Sequence, residues 1–128
     1  MTVHKPVLSK EVLDYLNPLP GKNFIDCTFG SGGHSSLILE KISPAIALAK
    51  AGNLLAIDAN QDVRELNKFK NKKNFKLIIN NFVNLKQIVK TRKGLNGISG
   101  VLIDLGLSSD QLKSQAKVLV FKKMNLWI

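Results

Sequence analysis

The stretch Phe24-Ile25-Asp26-Cys27-Thr28-Phe29-Gly30-Ser31-Gly32-Gly33-His34 constrains the fold of this 128-residue chain more than any other. A short apolar run ends in Asp26, and a turn built on Gly30, Gly32 and Gly33 follows. His34 then opens a helical pattern through Leu37, Ile38, Leu39 and Ile42. Strand, glycine turn and helix start, in that order, make a mononucleotide-binding corner. Glycines let backbone approach a ligand closely, and the first helical turn presents N–H groups that no intrahelical carbonyl takes. The ligand of this chain is expected here.

The flanking sequence repeats the alternation. Pro6 keeps the start extended. Ser9 is placed to cap a short helix whose stripe is Val12, Leu13 and Leu16, and the Asn17–Gly21 segment breaks it. The first strand is expected at about 23–27 and the next helix at about 34–42. Ser43 and Pro44 suit the start of another helix running to Ala51, with Gly52 at its end. Leu54–Ile57 reads as a buried strand ending at Asp58. Residues 62–69 carry helical spacing (Val63, Leu66, Phe69), 75–79 a third strand, and 83–91 a helix. Val101–Ile103, after a glycine-rich linker at 94–100, gives a fourth strand ending at Asp104. Four apolar strands alternating with helices predict an α/β fold, a parallel doubly wound sheet of order 3-2-1-4. Residues 113–128 do not read as a clean fifth helix and strand, so the fourth strand is expected to be an open edge and the chain poorly soluble.

Length allows one domain with a core of its own. No apolar run reaches the ~18 residues of a membrane span, and the N-terminus lacks an apolar signal core, so a cytoplasmic protein is expected. The single cysteine, Cys27, reads as a small buried filler rather than a nucleophile, because no base stands near it in sequence. Nineteen basic residues against nine acidic ones give a net charge of +10. That excess suits a polyanion such as nucleic acid. Seventeen of the nineteen are lysines, and coding bias toward Lys and Asn is the competing explanation.

Three acidic residues, Asp26, Asp58 and Asp104, end three of the four strands, where the ligand crevice of an open α/β sheet lies. Asp58 is placed to accept hydrogen bonds from the ribose hydroxyls of an adenosine. Phe82, just after the third strand, is either an apolar face for the adenine or an ordinary core contact. The dinucleotide fingerprint fails at its third glycine, where Ser35 stands. Asp26 also fits an ammonium group better than a pyrophosphate, since like charges repel. S-adenosylmethionine is therefore favoured over NAD. His34, beside three glycines, reads as positioning the turn or touching the cofactor rather than shuttling a proton.

Four stretches carry a family resemblance: residues 4–8 with 11–13, residues 26–34, residues 55–58, and residues 100–112. In this order and spacing the chain resembles the N-terminal part of the bacterial small-subunit ribosomal RNA methyltransferases that modify N4 of a decoding-centre cytidine. The resemblance implies a Rossmann-like class I methyltransferase using S-adenosylmethionine on small-subunit ribosomal RNA or an immature small subunit. By the same resemblance Gly32, Gly33 and His34 contact the cofactor, Asp58 holds its ribose, and Phe82 lies beside the adenine. Asp104 and Gln111 complete the pocket. Asp104, the candidate catalytic residue, either accepts a hydrogen bond from the target amine or binds the cofactor's ammonium. No metal is implied. Two departures stand out. Asp58-Ala59-Asn60 replaces an acidic-basic-acidic run, and residues 117–128 replace an Arg-Gly-Phe-Ser-Phe continuation. The family is well over twice this length and carries an inserted RNA-gripping domain. Residues 1–112 are thus expected to be the cofactor-binding part and 113–128 an atypical tail of a truncated or frame-disrupted copy, active or catalytically inert.

Overall fold

The computed structural model describes residues 8–44, 50–65, 67–92, 95, 97–105 and 117–122. The elements run α1 (Ser9–Leu16), β1 (Asn23–Asp26), α2 (Gly33–Ile42), β2 (Leu54–Asp58), β3 (Phe75–Ile79), α3 (Leu85–Lys90), β4 (Ile98–Leu105) and β5 (Lys117–Lys122). They build one sheet of order β3-β2-β1-β4-β5. The first four strands are parallel, in the expected 3-2-1-4 order of a Rossmann-like fold.

Strand alternation divides the core in two. Phe24, Leu54, Ala56, Phe75 and Leu102 face α1 and α2, which contribute Val12, Leu16, Ile38, Leu39 and Ile42. Ile25, Leu55, Ile57, Ile98 and Val101 face the other way, toward Leu85, Ile88 and Val89 of α3. The central strand β1 is buried along its whole length, as a parallel strand covered on both faces must be. At its foot Asn23 ties three strands together. Its Oδ1 accepts the Asn53 backbone N–H at 2.9 Å, and its Nδ2 donates to the Gly97 carbonyl at 3.3 Å.

The tail departs from expectation. Residues 117–122 form a strand that pairs antiparallel with β4, from Gly100↔Lys122 to Leu105↔Lys117. β4 is therefore not an open edge, and the reason given for poor solubility falls away. The Val118–Phe121 run has strong strand propensity, and a long-range partner supplies the ladder that local pattern does not reveal. β4 itself starts earlier than expected, taking in Ile98–Gly100.

Three helices also differ. The residue before α1 is Leu8, with a left-handed backbone (φ 54°), and no side chain caps the helix, so Ser9 is not the cap. The expected helix at 62–69 is only a 3-10 turn over Gln61–Arg64. The Asn60 side chain accepts the Asp62 N–H and the Asn67 side chain accepts the Phe69 N–H, offering the backbone turns in place of a helix. The helix at 83–91 splits into a 3-10 turn, Phe82–Asn84, and the shorter α3. Most of the helix expected before Ala51 lies outside the described residues. Among the described residues no helix is long and apolar enough to cross a membrane.

Candidate active site at the carboxyl rim of the sheet

The corner predicted from residues 24–34 forms as a tight turn between β1 and α2. Gly32 donates its N–H to the Phe29 carbonyl at 2.9 Å and holds φ 88°, a conformation that a side chain would strain. Gly33 and His34 open α2. Beneath the turn, Phe29 packs in an aromatic trio with Phe69 and Phe75, ring centroids 5.2–6.3 Å apart.

Asp26, Asp58 and Asp104 all lie at the carboxyl end of the sheet, on β1, β2 and β4, but their environments differ. Asp26 is fully buried. One oxygen accepts the Ser35 hydroxyl at 2.7 Å and the other accepts the Thr28 N–H at 3.0 Å. The expectation that it meets a ligand ammonium is corrected: its carboxylate is enclosed and fastens the turn to α2. Ser35, at the position where the dinucleotide fingerprint has glycine, is itself fully buried. Thr28 bridges two of the rim strands, because its Oγ1 accepts the Asp104 N–H at 2.7 Å. Sequence reading missed Thr28 and Ser35. The signal for Thr28 was the Asp-x-Thr spacing of an Asx turn. For Ser35 it was a hydroxyl where packing asks for glycine.

Burial pushes the Asp26 carboxyl above its ordinary value of 3.8, against the pull of Ser35, Thr28 and His34, with Asp104 adding to the rise. The stability contributed by the neutral carboxyl is present below that ordinary value and is lost as pH rises through the raised one. Asp26→Asn keeps an acceptor for Thr28 without a charge to desolvate. The variant should therefore gain on the wild type in urea midpoint as pH rises above about 4. A constant difference across that range would show that Asp26 titrates normally. The neighbouring Cys27 thiol is pushed up to about 12, chiefly by burial and then by Asp26, and reads as the inert filler expected.

Asp58 is half-buried. It accepts the Gly30 N–H at 2.7 Å and the Asn60 N–H at 2.9 Å, so it locks the glycine turn to β2. A carboxylate has about four acceptor positions, so two remain for hydroxyl donors. Phe82 follows β3 at the same end of the sheet, half-buried against the α3-side core. Gln111 lies outside the described residues.

His34 and Asp104 complete the rim. The imidazole is only 6% exposed, yet among the described residues neither ring nitrogen has a hydrogen-bond partner. Its Nε2 stands 3.6 Å from a carboxylate oxygen of Asp104, whose side chain is 27% exposed. A buried polar group without partners is costly. This pair, beside a glycine turn, therefore fits a polar ligand such as the amino-acid and ribose parts of S-adenosylmethionine.

The family described as the MraW methylase family matches residues 1–126. The chain is 39% identical over 127 residues to a ribosomal RNA small subunit methyltransferase H of Ureaplasma parvum, covering 98% of this chain and 39% of that protein. The protein of the same name from Dictyoglomus thermophilum is 38% identical over 125 residues, covering 95% and 40%. The chain thus spans about two fifths of the length of these curated relatives. A solved S-adenosylmethionine-dependent O-methyltransferase from Thermotoga maritima aligns with TM-score 0.52 at 13% identity, over 84% of this chain and 47% of that one. This likeness concerns the fold.

Proposed function

The chain belongs to the MraW methylase family, and on that premise we propose that it moves a methyl group from S-adenosylmethionine to the exocyclic N4 of a cytidine in small-subunit ribosomal RNA. The observation that carries the reading is the buried His34, whose two ring nitrogens have no hydrogen-bond partner among the described residues, beside the Asp104 carboxylate at the glycine turn. S-adenosylmethionine, when bound, supplies an electrophilic methyl on a sulfonium. Gly32, Gly33 and His34 would hold its amino-acid end, Asp58 its ribose hydroxyls and Phe82 its adenine, with Gln111 also proposed to line the pocket.

Of the three rim carboxylates, Asp26 is enclosed and Asp58 is engaged with two backbone N–H groups. Among the described residues no hydrogen bond reaches the Asp104 carboxylate, which leaves it able to accept from the target amine. The lone pair of that amine is delocalised into the ring, so orientation by Asp104 matters more than a strong base. The proton released after transfer can pass to water.

Calorimetry with S-adenosylmethionine, followed by transfer of a labelled methyl to small-subunit ribosomal RNA with the modified base located by mass spectrometry, tests the reading. Binding and label at a cytidine N4 are expected. Label elsewhere would overturn the target, and absence of binding would overturn the site. Because the chain spans 39% of its relative's length, a second reading is a catalytically inert cofactor binder. Binding without transfer would establish it.

A further inference from the structure

A second concave site lies at the opposite end of the sheet from the glycine turn. It is a hollow of about 220 Å³ among the first residues of β2 and β3 and the segment after α3, ringed by Lys73, Lys76 and Arg92 over a floor that includes Phe75 and Leu95. The fold brings these cations together from three places. Lys73 belongs to the turn before β3. Phe75, Leu77 and Ile79 face α1 and α2, so Lys76 shares the α3-facing side with Ile78. α3 ends at Lys90, and Arg92 follows it at the rim of the hollow.

All three cations are exposed. Among the described residues the one ion-pair contact is His34 with Asp104, so none of the three is neutralised by a carboxylate. A single lysine on an edge strand is explained as protection against unwanted pairing. That does not account for a turn and a helix end delivering two more cations to the same hollow, where like charges repel. An anion held among them removes the repulsion.

We propose that this hollow seats a backbone phosphate of RNA, a contact remote from the carboxyl rim that orients the substrate without reading its sequence. The RNA partner rests on the methyltransferase reading above. A chain of net charge +10 favours RNA over a single small anion, because a polyanion engages the hollow and the surrounding lysines together.

The test uses the full 128-residue chain, a fluorescent single-stranded RNA and a salt titration. A triple variant, K73Q/K76Q/R92Q, is compared with a control of equal charge change on exposed lysines elsewhere, K10Q/K41Q/K50Q. Both are checked for unchanged melting. Loss of the seat for one phosphate should flatten the slope of log affinity against log salt by about 0.7, and lower affinity by at least about tenfold at low salt. The control should lose much less. Equal losses in the two variants, or no RNA binding by the wild type, would overturn the proposal. So would polyglutamate binding as tightly as RNA and depending on the same three residues. S-adenosylmethionine calorimetry on the same samples separates the two readings. A wild type that binds RNA through the hollow but not the cofactor sinks only the methyltransferase reading. Cofactor binding with no effect of the triple variant on RNA sinks only the hollow.

Discussion

Asp58→Ala is expected to lower affinity for S-adenosylmethionine about 100-fold. A hydrogen bond to a charged group contributes about 1.5–3 kcal/mol, and each 1.4 kcal/mol is about tenfold in affinity. The substitution removes the acceptors proposed for two ribose hydroxyls. It also releases the Gly30 N–H, held at 2.7 Å, so the turn loses its anchor to β2. Calorimetry checks the affinity, and a melting curve shows whether the variant remains folded. Asp58→Asn refines the test, because the amide keeps an acceptor for Gly30 but not the charge. Wild-type affinity in a folded Asp58→Ala protein would remove Asp58 from the site.

The largest effect on stability is expected far from that rim, at Gly52. A Cβ at this position would overlap the carbonyl oxygen of Lys22 and lie 2.9 Å from its backbone N and C. These are main-chain atoms just before β1, and they cannot swing aside as a side chain would. Gly52 also donates its N–H to the Ile42 carbonyl at 3.0 Å, near the end of α2. Gly52→Ala must therefore push two chain segments apart at the foot of the central strand. A cost of about 3 kcal/mol is expected, or about 10 °C in melting temperature for a domain of this size. Gly97→Ala is the comparison. Its backbone holds φ 80°, but nothing among the described residues lies within 4 Å of an added Cβ, so only the conformational cost of about 1 kcal/mol applies. The φ of Gly52 is not left-handed, so equal losses at the two positions would mean that the Lys22 main chain yields to the added Cβ and the close approach is not costly.

The parts of the fold that could be read in advance are those set by near neighbours in sequence. Four apolar runs give the four parallel strands, and three of them end in aspartate. Gly30–Gly33 sits between a strand and a helix, and the corner follows. The parts that could not be read depend on distant partners. Val118–Phe121 becomes β5 only because β4 lies beside it. Val63 and Phe69 reach the core without the helix their spacing suggested, because Asn60 and Asn67 bind nearby backbone N–H groups. Asp26 occupies the strand-end position that suggested ligand contact, yet Thr28 and Ser35 enclose it. A strand-end carboxylate says where a side chain begins, and its neighbours decide whether it meets solvent.

The bridge between Thr28 and Asp104 joins residues 76 positions apart, and this bears on how the molecule assembles while it is being synthesised. β1, β2 and β3 can associate as they emerge, but one flank of β1 stays bare until β4 arrives. Bringing such distant segments together is entropically slow. The carboxyl rim of the sheet is consequently among the last features to close, and the nascent chain leaves its fully buried central strand half-covered for longest. Chaperone capture and failed folding should both concentrate in that interval.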